Sequence, residues 1–175
     1  IAHQWYGDML TTRNWANAWL NEGFATFLTY AWREYDHGWD AAEYGRRWMI
    51  SSVRWADESD RRPMVQYYYE SDMDLFDSNI YAKGALVLNM LRQMLGYDAF
   101  WRTIRHYTNT YQFKNVESQD LKRVFEDVTG QNLDWFFDQW VYTGGLPHLD
   151  IKYKYNRRNQ HVKLTIRQIQ DVASS

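Results

Sequence analysis

The sequence predicts a mainly α-helical domain that is followed by a short β segment. Apolar residues recur at helical spacing from residue 1 to residue 142, and only Pro63 interrupts them before Pro147. The Gly-Gly-Leu-Pro run at residues 144–147 then ends the helical pattern. Beyond it, apolar residues alternate with polar ones, which is typical of β-strands.

Composition limits the classes of protein to which the chain can belong. The 175 residues are 45% hydrophobic and 18% aromatic, which supplies a core and argues against disorder. A formal net charge of -2 gives no electrostatic reason to expect nucleic acid as a partner. The absence of cysteine excludes disulfides and thiolate metal sites. No apolar stretch approaches the roughly 20 residues that span a bilayer, so no membrane segment is expected.

Six helices are predicted from the apolar spacing. One of them has Leu121, Val124 and Phe125 on one face, follows an N-cap at Ser118 and ends at Gly130. The helix over 80–95 has a broader apolar surface and is expected to be buried on much of its circumference. The other four cover about 16–35, 40–57, 98–110 and 132–142.

Residues 58–79 break the helical pattern. This stretch is acidic and rich in tyrosine, contains Pro63, and is predicted to be a long loop of the kind that is often functional. The charged run at 57–62 is interpreted as solvated, although its place ahead of Tyr81 leaves a role in a substrate cleft open.

The alternation after residue 147 predicts a pair of strands. Leu149, Ile151 and Tyr153 alternate with polar residues in the first strand, and Val162 and Leu164 do so in the second. Because two strands alone are marginal in water, the pair is expected to be the first hairpin of a truncated β-domain.

His3 and Glu22 are the candidate metal ligands. A zinc peptidase of the gluzincin type takes two histidines one helical turn apart, from H-E-x-x-H, and a glutamate from the next helix. A helix that carries His3, a turn near residues 11–14 and a returning helix could place Glu22 beside His3. A bare His and Glu at this spacing is more often a chance surface pair, so the flanking residues decide the interpretation.

Those flanking residues resemble one family closely. The strings AHQWYGD and WLNEGFATF are similar to the zinc-site segments H-E-x-x-H-Q-W and W-L-N-E-G-F-A of M1 aminopeptidases. The resemblance implies that His3 is the second zinc histidine and Glu22 the third zinc ligand. It also implies a mainly α fold, the helical C-terminal part of a thermolysin-like (gluzincin) catalytic domain. The first histidine and the catalytic glutamate would precede Ile1, so the chain is expected to be a fragment.

Two further segments support the resemblance. Residues 77–85, DSNIYAKGA, are similar to the family's Y-x-K-G-A segment, which implies that Tyr81 assists catalysis by donating a hydrogen bond to an oxyanion. Without that motif, any one of the 14 tyrosines would be interpreted as structural. Residues 140–147 resemble the W-x(n)-G-x-P close of the catalytic domain. The expected division is therefore 1–146 for the helical part and 147–175 for the first strands of a β-sandwich.

The resemblance implies a function for the parent protein. Members of the family remove N-terminal residues from peptides, with one Zn²⁺ ion activating water and a glutamate as general base. The expected partners are peptide substrates with a free N-terminus and the missing N-terminal half of the parent. With two of three ligands and no general base, the isolated chain is expected to bind zinc weakly and to be inactive.

Two alternatives stay open. The parent could be a non-catalytic relative that uses the fold as a protein-binding scaffold, or it could hydrolyse something other than peptides. Four histidines show no ligand spacing and receive no role: His37, His106, His148 and His161.

Overall fold

The computed structural model describes residues 1–170 and confirms the mainly α fold. Residues 171–175 of the expected β-domain lie outside the described part. The chain forms two compact units, residues 1–144 and a second unit that begins at Gly145. The helices are α1 (Trp19–His37), α2 (Trp39–Ser59), α3 (Gly84–Leu95), α4 (Tyr97–Tyr111), α5 (Ser118–Thr129) and α6 (Asp134–Trp140). Within residues 1–170, no helix has both the length and the apolar character to cross a membrane.

Helix α1 lies at the centre of the first unit and packs against α2 and α3. It buries one face that is rich in aromatic residues, including Phe24 and Phe27, neither of which is exposed to solvent. Phe27 meets Phe100 of α4 edge to face, with ring centroids 5.4 Å apart. Phe100 in turn lies 5.8 Å from Phe125 of α5. Many of the aromatic residues of the sequence therefore pack in this core, where such pairs add to the burial of apolar area.

A short parallel pair of strands ties the N-terminal segment to the region before α5. Strand β1 (Leu10–Thr12) pairs with β2 (Lys114–Val116), with Leu10 opposite Lys114. This pair was not predicted, because three-residue strands carry no measurable alternation. It replaces part of the turn expected near residues 11–14.

Several predicted boundaries were wrong by a few residues. Helix α1 begins at Trp19 rather than near residue 16, after a separate 3-10 turn at Trp15–Asn17. Helix α5 has Glu117 as its N-cap instead of Ser118. Glu117 forms a capping box with Asp120, whose carboxylate accepts a hydrogen bond from the Glu117 N–H. Ser118 is instead buried, and its hydroxyl and N–H both donate to Asn17.

The stretch predicted to be a long loop contains more structure than expected. Helix α2 extends through Ser59, and a 3-10 turn forms at Asp72–Leu75. The π-helical turn Asn79–Lys83 then leads into α3. The interpretation of residues 57–62 as solvated was wrong for Arg62, which is 5% exposed.

The second unit is an antiparallel hairpin of β3 (Leu149–Asn156) and β4 (His161–Gln168). Cross-strand partners on one face are apolar, and these are Ile151 with Ile166, Tyr153 with Leu164, and Tyr155 with Val162. Every one of these six side chains is exposed in the described residues.

Candidate metal centre

The helix expected to carry His3 is a single 3-10 turn at Ala2–Gln4. The Nδ1 atom of His3 lies 3.1 Å from the carbonyl oxygen of Tyr6, which can only accept, so Nδ1 carries the proton of the bond. In the neutral ring, Nε2 then presents a lone pair. A ring nitrogen held by a backbone carbonyl is the usual support of a metal-bound histidine.

Gly7 makes room for the ring. A Cβ at this position would lie 3.0 Å from the backbone oxygen of His3 and 3.3 Å from its Nδ1. The backbone of Gly7 has a φ of +145°, which side-chain-bearing residues rarely adopt. A larger residue here would displace His3.

Glu22 meets His3 from the first turn of α1. Its Oε2 lies 3.2 Å from His3 Nε2. The Glu22 side chain is 16% exposed and that of His3 is 50% exposed, so the pair lies at the surface with the carboxylate partly enclosed. Two acceptor atoms at this distance repel each other unless a proton or a metal cation lies between them.

The two donors fit a zinc ion. Zinc binds histidine nitrogen and carboxylate oxygen at about 2.0–2.2 Å, and tetrahedral coordination then places two donors about 3.3–3.5 Å apart. The 3.2 Å between His3 Nε2 and Glu22 Oε2 is close to that separation. Residues 1–170 hold no group of three or more His, Asp or Glu side chains that could bind a metal, so they supply two donors at this place.

Tyr81 lies next to the pair. Burial raises the pKa of the Tyr81 phenol, and the negative charge of the nearby Glu22 carboxylate raises it further. The phenol therefore keeps its proton at neutral pH and acts as a donor. It is 37% exposed, so it can reach a molecule that enters from solvent.

A glycine contact joins the two elements that carry Glu22 and Tyr81. A Cβ on Gly23 would lie 2.9 Å from Gly84 Cα and 3.2 Å from the Ile80 carbonyl oxygen. Real Cβ atoms do not approach so closely, and only two glycines allow this crossing. The close approach of α1 to the π-helical turn brings Glu22 within reach of Tyr81.

Aromatic side chains flank the site. Trp15 meets Phe76 edge to face at 5.7 Å between centroids, and Phe76 lies 6.5 Å from the ring of Tyr81. Trp15 is half-exposed, whereas Trp19 is fully buried and donates from Nε1 to the Ser118 hydroxyl at 2.8 Å. The motif singled out Tyr81 but not Phe76, because only the folded chain shows which aromatic residues surround it.

The other histidines lie elsewhere. His37 is 3.6 Å from Asp36, and both side chains are largely exposed. His106 is exposed on α4, and His148 and His161 belong to the second unit. None of them joins His3 and Glu22 within the described residues.

Comparisons with known proteins identify the family of the chain. The model of the peptidase family M1 domain matches residues 1–140. The tricorn protease-interacting factor F2 of Thermoplasma acidophilum is 32% identical over 161 residues, which cover 90% of this chain and 21% of that protein. Aminopeptidase M1-D of Oryza sativa subsp. japonica is 32% identical over 157 residues, 88% of this chain and 18% of its own length. The chain thus spans about a fifth of the length of the curated relatives it matches.

Solved structures show the same fold. An M1 zinc metallopeptidase from Deinococcus radiodurans, as a mutant bound to the substrate Tyr-Ser-Ala, is 30% identical with a TM-score of 0.70. That match covers 84% of this chain and 32% of the other. Native yeast LTA4 hydrolase has a TM-score of 0.75 at 24% identity, over 83% of this chain and 25% of its own, and shows likeness of fold alone. By its sequence and its fold, this chain belongs to peptidase family M1.

Proposed function

We propose that the parent protein is a zinc-dependent aminopeptidase and that His3 and Glu22 are two of its zinc ligands. The observation that carries the proposal is the convergence of three groups: His3 Nε2, the Glu22 carboxylate 3.2 Å away, and the Tyr81 phenol beside that carboxylate. Rice aminopeptidase M1-D and the Deinococcus metallopeptidase support an aminopeptidase activity and zinc as the metal.

Each residue has a separate role in this proposal. His3 and Glu22 hold the ion, and the Tyr6 carbonyl keeps the His3 lone pair turned toward it. When bound, zinc supplies Lewis acidity that polarises a carbonyl and lowers the pKa of water. Tyr81 donates a hydrogen bond to the carbonyl oxygen of the scissile peptide bond as negative charge develops on that oxygen.

The substrates are peptides with a free N-terminus. The groups that would bind the substrate amine and act as general base are proposed to belong to the N-terminal half of the parent. The isolated chain is therefore expected to bind zinc weakly and to hydrolyse nothing, because two donors fall short of the three that catalytic zinc sites use.

The hairpin of β3 and β4 is proposed to be the first part of a β-sandwich, with the domain boundary after residue 146. The support is its apolar face, since Ile151, Leu164 and Ile166 are all more than half exposed. Such a face is stable in water only when another layer covers it.

The test uses the parent protein and an aminoacyl p-nitroanilide. Chelation of zinc should abolish release of p-nitroaniline, and added Zn²⁺ should restore it. His3→Ala should lower bound zinc in the purified protein, whereas His106→Ala, a change at an exposed histidine on α4, should not. Tyr81→Phe should keep zinc and KM and lower kcat by about 10²–10³-fold, as expected for the loss of one oxyanion donor.

Tyr97→Phe is the matched control for the phenol, because Tyr97 is exposed at the start of α4. It should leave kcat unchanged. A parent that holds no zinc and cleaves no aminoacyl substrate would instead be the non-catalytic scaffold. Full activity in Tyr81→Phe would remove Tyr81 from the proposed mechanism while leaving the zinc ligands to be judged by metal content.

A further inference from the structure

Tyr81 lies on an unusual piece of backbone. The π-helical turn Asn79–Lys83 comes directly before α3, and such turns depart from the regular hydrogen bonding of an α-helix. The Lys83 N–H bonds to the Ser78 carbonyl at 2.9 Å, five residues back. Because the turn gains less from regular helix bonding, its position depends on the groups that hold its first residues.

Asp77 holds the start of this turn through its carboxylate and its backbone carbonyl. Its Oδ1 accepts from the Asn79 N–H at 2.7 Å, and its Oδ2 accepts from Asn79 Nδ2 at 2.9 Å. Its backbone carbonyl accepts from the Ile80 and Tyr81 N–H groups, each at 3.2 Å. The carboxylate and the carbonyl of one residue therefore fix the backbone on both sides of Ile80, and with it the direction of the Tyr81 side chain.

Arg62 holds Asp77 in turn. Its Nη2 donates to Asp77 Oδ1 at 2.7 Å and to the Leu75 carbonyl at 2.9 Å, and its Nη1 donates to the Pro63 carbonyl at 3.1 Å. The backbone of Arg62 packs against Gly144, where a Cβ would lie 3.0 Å from the Arg62 carbonyl carbon. A buried guanidinium with three fixed acceptors leaves Asp77 little freedom to move.

We infer that Arg62 and Asp77 are positioning residues that set the location of the Tyr81 phenol beside Glu22. Neither needs to touch substrate, since Arg62 is 5% exposed and the Asp77 carboxylate is occupied by Arg62 and Asn79. The inference rests on the proposed role of Tyr81 in catalysis. It assigns a function to a buried arginine in a charged run that the sequence analysis interpreted as solvated, with a role in a substrate cleft left open.

The test is a double-mutant cycle in the zinc-loaded parent protein. Asp77→Asn keeps the shape of the side chain but loses its charge and sets one of its N–H groups against Asn79 Nδ2. Asp77→Asn should lower kcat by about 10–100-fold, as expected for a displacement on the order of 1 Å, with KM within about twofold and zinc content unchanged. Because Asp77 acts through the phenol, the double variant Tyr81→Phe with Asp77→Asn should be no slower than Tyr81→Phe alone.

Asp74→Asn is the matched control. Asp74 lies in the same loop, and its carboxylate accepts from the Ser71 N–H at 3.0 Å, at the start of the preceding 3-10 turn. This variant should keep full kcat. Losses that multiply in the double variant, or an equal loss in Asp74→Asn, would overturn the inference because they would show a general effect on the fold.

Hydrogen exchange gives a readout that does not depend on activity. In Asp77→Asn, exchange should rise in a peptide covering 76–83 and stay unchanged in one covering 97–111 of α4. Unchanged exchange in 76–83 would overturn the positioning role whatever the kinetics show. If Tyr81→Phe alone is fully active, the proposed catalytic role of Tyr81 fails. The exchange result then still decides whether Asp77 anchors the turn.

Discussion

Replacing Gly23 with alanine should destabilise the chain, although an alanine is ordinarily the better residue inside a helix. Gly→Ala in a helix interior is worth about 0.5–1 kcal/mol of stabilisation. At Gly23 the new methyl would lie 2.9 Å from Gly84 Cα, which is backbone and cannot turn aside. Overpacking of this kind costs about 1–3 kcal/mol. The net change is therefore a loss of about 0–2.5 kcal/mol in the free energy of unfolding.

Gly45→Ala provides the matched comparison on α2. A Cβ there meets only Arg33 Nη1, at 3.5 Å, which is an ordinary van der Waals contact with a flexible side chain. Both variants share the helix-propensity gain, so the difference between them isolates the overpacking of about 1–3 kcal/mol. With a urea m-value of about 2 kcal/mol/M, the two midpoints should differ by roughly 0.5–1.5 M.

The assay is urea unfolding of the chain followed by circular dichroism at 222 nm. Gly45→Ala should move the midpoint upward and Gly23→Ala downward. Equal midpoints for the two variants would refute the argument that the Gly23–Gly84 crossing is closed to a methyl group. In the parent, Gly23→Ala should also lower kcat, because it separates α1 from the turn that carries Tyr81.

Three further predictions concern stability. Burial raises the pKa of Tyr142 to about 12 from 10.0, so the folded state favours the neutral phenol. The stability that comes from this preference for the neutral phenol is complete below pH 10 and is lost as the pH rises from 10 to 12. The unfolding free energy of Tyr142→Phe should therefore fall less steeply across that pH range than that of the unchanged chain. Asn17→Ala should lower the unfolding free energy by about 2–4 kcal/mol in urea titrations, because the buried N–H and hydroxyl of Ser118 both lose their acceptor. Glu34→Ala should cost about 1–3 kcal/mol in the same assay, since it leaves the buried Arg92 without its carboxylate partner at 2.6 Å, and adding Arg92→Met should recover part of that loss.

The sequence was most informative where periodicity is long. Helix α3 was predicted over 80–95, and the structure ends it at Leu95 before Gly96, after the π-helical turn that contains Ile80. The hairpin was predicted from alternation alone, and its strands run from Leu149 to Asn156 and from His161 to Gln168. Both patterns extend over many residues. They therefore rarely arise by chance, and a single local contact does not override them.

The sequence was least informative where a single contact decides the structure. Nothing in a charged run shows that Arg62 is buried, because its three acceptors, Asp77 and the carbonyls of Pro63 and Leu75, come from other parts of the loop. The N-cap at Glu117 was missed for a related reason. Ser118 has the better capping side chain in isolation, but its hydroxyl is already used by Asn17 and Trp19, which lie about a hundred residues away in the sequence.

By itself, the sequence determined the mainly α fold, the family, and the identity of the three candidate residues His3, Glu22 and Tyr81, because short motifs and helical spacing are local properties of the chain. Only the tertiary structure decided that they meet. The 3.2 Å between His3 and Glu22 depends on how the N-terminal turn packs on α1, and the approach of Tyr81 depends on the crossing at Gly23 and Gly84. Distances across a fold are set by packing between elements, and packing is not a local property.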